Sequence, residues 1–337
     1  MERKPALLKR ILAWLVLTGA VLLGVLTGDY LRSREAPVLN SAAVIFEIPR
    51  GQGVWEIAYR LRAAGVIDKP LWFVLQSVEQ GVSGRLQAGE YEVPAGVSRA
   101  ELLRLFVSGR VRQHAVTLLE GWTFRRMLEA IRLHPALDHG VSQSEPQAIM
   151  AALGAPGLDP EGRFFPDTYF FPRGTSELEI LRRAFGKMQV VLAEAWEGRV
   201  DGLPYKTPEE ALIVASIVEK ETARPEERPE VAGVLVRRLQ RGIPLQVDPT
   251  VIYGLGERFD GDLRRADLAT DTPYNTYVHR GLPPTPIAAP GWSSLHAALH
   301  PAPGDTLYYV ATGEGGHVFS RSLEEHRRAV DRYQRKE

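Results

Sequence analysis

The chain has no cysteine in its 337 residues. Disulfides and cysteine-based metal sites are therefore excluded, and the absence suits a polypeptide that works outside a reducing compartment. It also lacks net charge, because 41 Lys and Arg balance 41 Asp and Glu. No whole-chain field would draw in nucleic acid or another polyanion, so a near-neutral ligand is the simpler expectation. Long apolar runs are scarce too. One uncharged stretch, Ile11 to Gly28, approaches the roughly 20 residues a membrane helix needs. Four histidines, His279, His296, His300 and His317, match no zinc-ligand spacing, and no metal or cofactor is expected.

The apolar run is too long for the core of a cleaved signal peptide, and Leu26-Thr-Gly-Asp-Tyr30 makes a poor cleavage site. It reads as a retained anchor. Arg3, Lys4, Lys9 and Arg10 precede it, so the positive-inside rule leaves residues 1–10 as a cytoplasmic tail and sends everything beyond the span to the periplasm or cell exterior. Residues 29–43 read as a linker.

An internal repeat follows. Ile48-Pro-Arg-Gly51 with Glu56 and Ile57 matches Val93-Pro-Ala-Gly96 with Glu101 and Leu102, and Leu119-Glu-Gly121 opens a weaker third copy. Each copy reads as a strand, a glycine turn and an amphipathic helix. Residues 44–112 are thus expected to form a small α+β domain similar to the LysM module, whose family binds N-acetylglucosamine-containing glycans. Trp55, Tyr59 and Trp72 are its candidate ring-stacking residues, and a plain spacer is the alternative. Further on, Glu161 to Pro172 packs five aromatics around Pro-Asp-Thr, either lining a cleft or plugging a domain junction.

The densest signal is Thr207 to Thr222. Thr207 is an N-cap, Pro208 the first helical residue and Glu210 the third position of a capping box. From Ala211 to Val218 every residue but Ser216 is apolar, so the helix is buried on most sides. Glu219 shares a face with Leu212, Ala215 and Ser216. That places it either at a core edge, where a carboxyl holds its proton, or at an ordinary solvated terminus. Glu221, two residues along, points away from it. A second helix runs from Pro229 to Gly242. Beyond it, Leu245–Gly254 and Pro273–Tyr277 read as ordered loops, then residues 306–320 as a hairpin and Ser322 onward as a closing helix.

Five motifs in order, Glu161-Gly-x-x-Phe-Pro-Asp-Thr168, Ala215-Ser-Ile-Val-Glu-Lys-Glu-Thr222, Asp248-Pro-Thr-Val-Ile-Tyr-Gly254, Tyr274-Asn-Thr-Tyr277 and Gly281-Leu-Pro-Pro284, resemble the endolytic murein transglycosylases, or YceG-like proteins. The resemblance covers residues 45–335. It implies a mixed α+β catalytic domain over 113–337, in which a buried helix carries the catalytic glutamate, Glu219. The implied reaction is cleavage of the β-1,4 bond between N-acetylmuramic acid and N-acetylglucosamine in nascent peptidoglycan strands, giving 1,6-anhydro ends and limiting glycan elongation. Implied partners are the strands themselves and penicillin-binding synthases in the membrane. Gln246, Asp248, Thr250, Tyr253, Tyr274, Asn275, Thr276 and Tyr277 are the expected substrate-binding residues. Were Asp248 or Asp167 to reach the scissile bond, a hydrolytic muramidase would be the alternative; a membrane-tethered glycan-binding scaffold without activity is another. The chain departs from the family at Ala289-Pro-Gly291, where a small polar residue is usual before Pro-Gly.

Overall fold

The structure, a computed structural model, describes residues 4–140 and 145–334; the first three residues of the expected cytoplasmic tail lie outside the described residues. The chain divides into two compact units, Met1–His114 and Ala115–Glu337.

The first unit opens with α1 (Lys4–Arg34), followed by β1 (Val44–Ile48), α2 (Val54–Ala63), α3 (Pro70–Glu79), β2 (Gly89–Val93) and α4 (Arg99–Ser108). Residues Leu8–Arg34 of α1 are long and apolar enough to cross a membrane. The helix runs six residues past the expected end of the span, so only residues 35–43 form a non-helical connection. Strands β1 and β2 pair antiparallel, with Phe46 opposite Tyr91, and bring two of the repeat copies side by side. Ile57, Leu61, Phe73, Tyr91, Leu102 and Phe106 fill the core beneath them. In the second copy Ser98 caps α4: its hydroxyl accepts the Glu101 N–H at 3.2 Å while the Glu101 carboxylate accepts the Ser98 N–H at 2.7 Å. This reciprocal pairing satisfies two otherwise orphaned backbone donors.

Strand β3 (Gln113–Thr117) leads into the second unit, which continues α5 (Phe124–Arg132), β4 (Leu137–Asp138), α6 (Pro146–Ala152), β5 (Thr168–Pro172), β6 (Thr175–Ser176), α7 (Glu177–Glu197) and α8 (Pro208–Glu221). It closes with α9 (Arg228–Gln240), α10 (Asp248–Leu255), α11 (Arg265–Leu268), α12 (Trp292–Leu299), β7 (Tyr308–Ala311), β8 (His317–Ser320) and α13 (Leu323–Tyr333). The sheets are all two-stranded: β3 with β5, β4 with β6 and β7 with β8. Helices therefore carry the architecture, and α8 is its axis, packed by α7, α9, α10 and α12.

Residues 211–218 of α8 are all buried, as an apolar run without periodicity requires. The Thr207 hydroxyl accepts the Glu210 N–H at 3.2 Å, whereas the Glu210 carboxylate accepts from Lys206 N–H, one residue before the cap. Two expectations need correction. Asp248 to Gly254 is the helix α10 rather than a loop; Pro249 sits in its first turn, where the missing N–H is harmless and the fixed φ is helical. Nor does the aromatic motif line a cleft: Phe164, Tyr169 and Phe171 are core residues packed with Phe124, Ile131 and Leu181. Inside that motif Gly162 has φ +74°, and a Cβ there would lie 2.5 Å from Pro286.

Candidate active site

The two carboxylates at the end of α8 have different surroundings, because residues two apart on a helix project to opposite sides. On the Glu219 side an extended segment, residues 286–291, runs along the helix. The Ser216 hydroxyl accepts the Ile287 N–H at 3.0 Å, and Glu219 Oε2 accepts the Gly291 N–H at 3.0 Å. Arg228 then donates to Glu219 Oε1 at 3.1 Å and lies 3.8 Å from Glu120. Both Arg228 and Glu219 side chains are under a tenth exposed. Burial and the neighbouring Glu219 charge raise the Glu120 carboxyl above its usual range, with Arg228 opposing them. The environment of Glu219 is thus a buried ion cluster under a covering segment, not a bare apolar face.

Glu221 faces a cleft of about 530 Å³ that α9, α10 and the β7–β8 hairpin enclose, with Arg238, Gln246, Asp248, Tyr277 and Tyr309 in its wall. The volume suits a small ligand or a short glycan segment. Burial pushes the Glu221 carboxyl up to about 7, the nearby Asp248 charge adds to that, and a hydrogen bond from Tyr309 opposes it. Tyr277 donates to Asp248 Oδ1 at 2.6 Å. Burial and the Glu221 charge also hold the Tyr309 hydroxyl well above its ordinary value, so it acts as a donor at all accessible pH. On the rim, Gln246 has φ +55°, a sparsely occupied backbone conformation for a residue with a side chain. Its N–H donates to Thr276 O at 3.1 Å. Arg238, buried in α9, fixes the same turn by donating to Leu245 O at 2.8 Å and Leu307 O at 2.7 Å.

The expected binding residues consequently separate into three groups. Gln246, Asp248 and Tyr277 line the cleft. Thr250, Asn275 and Thr276 lie beneath it: Thr250 and Thr276 hydroxyls bond each other at 2.9 Å, and Asn275 donates to Thr270 O at 2.7 Å while accepting the Tyr277 N–H at 2.9 Å. They build the loop that presents Tyr277. Tyr253 and Tyr274 are elsewhere, in edge-to-face contact with centroids 4.8 Å apart. Tyr253 donates to Glu161 at 3.1 Å; that buried carboxyl also accepts the Phe124 N–H at 3.0 Å and is raised by burial to about 7. Asp167 is far from this constellation in role, since its ion pair with Lys187 holds it below the usual carboxylate range.

Sequence reasoning overlooked Tyr309, Arg238 and His317. His317 lines the cleft while its Nδ1 faces Glu227 at 2.8 Å. The available signals were an arginine pair inside an otherwise apolar helix and aromatics facing each other across a hairpin.

A profile of the YceG-like family matches residues 46–332. The chain belongs to the YceG-like family. Within it, the sequence is 31% identical over 311 residues to an endolytic murein transglycosylase of Bacillus subtilis strain 168, a match spanning 87% of this chain and 86% of that protein. It is 28% identical to an endolytic murein transglycosylase of Streptococcus pneumoniae strain D39, over 84% of this chain and 57% of that longer protein. A crystal structure of a YceG-like protein from Listeria monocytogenes superposes with a TM-score of 0.54 at 28% identity, covering 86% of this chain and 99% of the other.

Proposed function

We propose that this protein is an endolytic peptidoglycan transglycosylase whose acid/base is Glu221. The activity follows from family membership and the named relatives. The observation supporting the residue is a half-buried carboxyl with a pKa near 7 in the wall of a cleft. Such a group holds a proton at neutral pH and can release it. Protonated Glu221 donates to the glycosidic oxygen as the bond to the muramic acid anomeric carbon breaks. The 6-hydroxyl of the same muramic acid then forms the new bond to that carbon and returns its proton to Glu221, leaving a 1,6-anhydro end. One carboxyl suffices, where a hydrolase needs a second to activate water or form an intermediate. Gln246, Asp248 and Tyr277 offer hydrogen bonds and a ring face to the glycan, and the Tyr309 hydroxyl steadies the carboxylate form.

Glu219 is the second reading. The observation favouring it is its pairing with Arg228 beside another carboxylate, Glu120. Separate Glu221→Gln and Glu219→Gln variants, assayed on purified peptidoglycan, decide between them.

For the first unit we propose glycan binding by the β1–α2–α3–β2 arrangement, with Trp55 and Tyr59 as platform. They lie on the outer face of α2, stacked with centroids 6.1 Å apart. The apolar part of α1 is the anchor, with the N-terminus cytoplasmic, so that catalysis takes place outside the membrane beside the synthases that extrude new strands. Replacing Trp55 and Tyr59 by alanine is expected to weaken pull-down on peptidoglycan, and undiminished binding argues for a spacer.

A further inference from the structure

Helix α3 is tied to the C-terminal end of α1 at both of its ends. Lys69, just before α3, donates to Asp29 at 2.7 Å, and Trp72 Nε1 donates to the same carboxylate at 2.9 Å. At the other end Glu79 accepts from Tyr30 and, at 3.0 Å, from Arg34. Asp29 and Tyr30 differ by only about 1.5 Å in height along α1, whereas positions 69 and 79 are about 15 Å apart along α3. Helix α3 therefore lies across α1 rather than beside it. If α1 crosses the bilayer, α3 runs parallel to its surface at the level where the span ends.

The outer face of α3 is apolar. Leu71, Leu75 and Val78 are 48%, 42% and 61% exposed. At 100° per residue they form one stripe, roughly a quarter turn from the α1-facing residues Trp72 and Glu79. Pro70, Phe73, Val74 and Ser77, on the opposite side, are buried in the core of the first unit. Tyr30 and Trp72, with ring centroids 5.6 Å apart, stand at the junction, where interfacial aromatics commonly sit. Asp29, Arg32 and Lys69 surround them at headgroup height.

We propose that α3 is an interfacial membrane helix, with Leu71, Leu75 and Val78 embedded at the boundary between headgroups and acyl chains. The lipid surface is the occupant because the stripe continues from a helix that enters the bilayer, and the Asp29 and Arg34 contacts leave α3 no freedom to stand off. The first unit is thereby seated on the membrane by two helices instead of swinging on a tether.

The absence of native cysteines permits a direct test in the full chain, reconstituted in nanodiscs containing anionic phospholipid. Single nitroxide labels are placed at Val16→Cys, Leu75→Cys, Val78→Cys and Asp201→Cys, and their accessibility to oxygen is compared with that to a water-soluble nickel chelate. Labels at 16, 75 and 78 are expected to favour oxygen, with 75 and 78 shallower than 16, while 201 favours nickel. Should 75 and 78 match 201, α3 stands in water and the proposal is overturned with the anchor intact. Should they be shielded from both reagents, a protein covers the stripe and the proposal also fails. A label at 16 that favours nickel removes the anchor and the interfacial helix together.

Discussion

The two sides of the last turn of α8 hold the same chemical group in opposite conditions. Glu219 is paired with Arg228 and covered by residues 286–291, while Glu221 is unpaired by any cation and borders open space. A glutamate enclosed in an ion pair is suited to holding a loop against a helix. One desolvated beside a cleft is suited to exchanging a proton. The difference arises outside the helix, from segments some 70 and 90 residues further on that cover one side and leave the other open.

The sharpest way to break this contrast is to neutralise each glutamate in turn. Glu221→Gln is expected to lower turnover about 10²–10⁴-fold, the usual contribution of a general acid, with little change in thermal midpoint. Glu219→Gln is expected to retain most activity yet lose stability. Arg228 is left buried with only Glu120 at 3.8 Å, and an unpaired buried charge costs about 3–5 kcal/mol, an upper bound here because Glu120 remains. Thermal melts and initial rates on the same preparations separate the two effects.

Gly162→Ala probes the covering segment. The added methyl must sit at φ +74° and 2.5 Å from Pro286, for which strain of roughly 1–3 kcal/mol is expected by denaturant unfolding. Stability should also depend on pH through Glu161 and Glu221, both raised from 4.5 to about 7 in the folded protein. A folded pKa above the unfolded one favours the protonated native state. That contribution is complete below about pH 4.5 and is lost as pH rises through 7. Glu161→Gln should flatten the decline between pH 5 and 8.

Smaller shifts sharpen the mechanism. The rate at limiting substrate should fall above about pH 7, as Glu221 loses its proton. Tyr309→Phe removes the hydrogen bond that lowers Glu221 and should move this limb to higher pH. Asp248→Asn removes a charge that raises it and should move the limb lower. Shifts in the same direction would contradict the assigned geometry.

Much of the fold was legible because it is local. The Thr207 cap, the apolar run of α8, the stop at Gly242, the β7–β8 hairpin and the Ser322 cap of α13 are all written in neighbouring residues. The site was legible in part. Gln246, Asp248 and Tyr277 reach the cleft, but Thr250, Asn275 and Thr276 use their polar atoms on each other and on the backbone, a choice that spacing cannot reveal. Which glutamate faces the cleft depends on where residues 286–291 and 308–320 come to lie. Helical periodicity shows only that Glu219 and Glu221 face apart. Likewise α10 was hidden in a segment whose Asp-Pro start reads equally as a turn or a helix opening.

The most direct measurement is mass spectrometry of peptidoglycan digested by the full chain and by its Glu221→Gln and Glu219→Gln variants. The account predicts fragments ending in 1,6-anhydro-muramic acid from the wild type and Glu219→Gln, and intact glycan with Glu221→Gln. Persistent anhydro products from Glu221→Gln, or their loss only in Glu219→Gln, would contradict it.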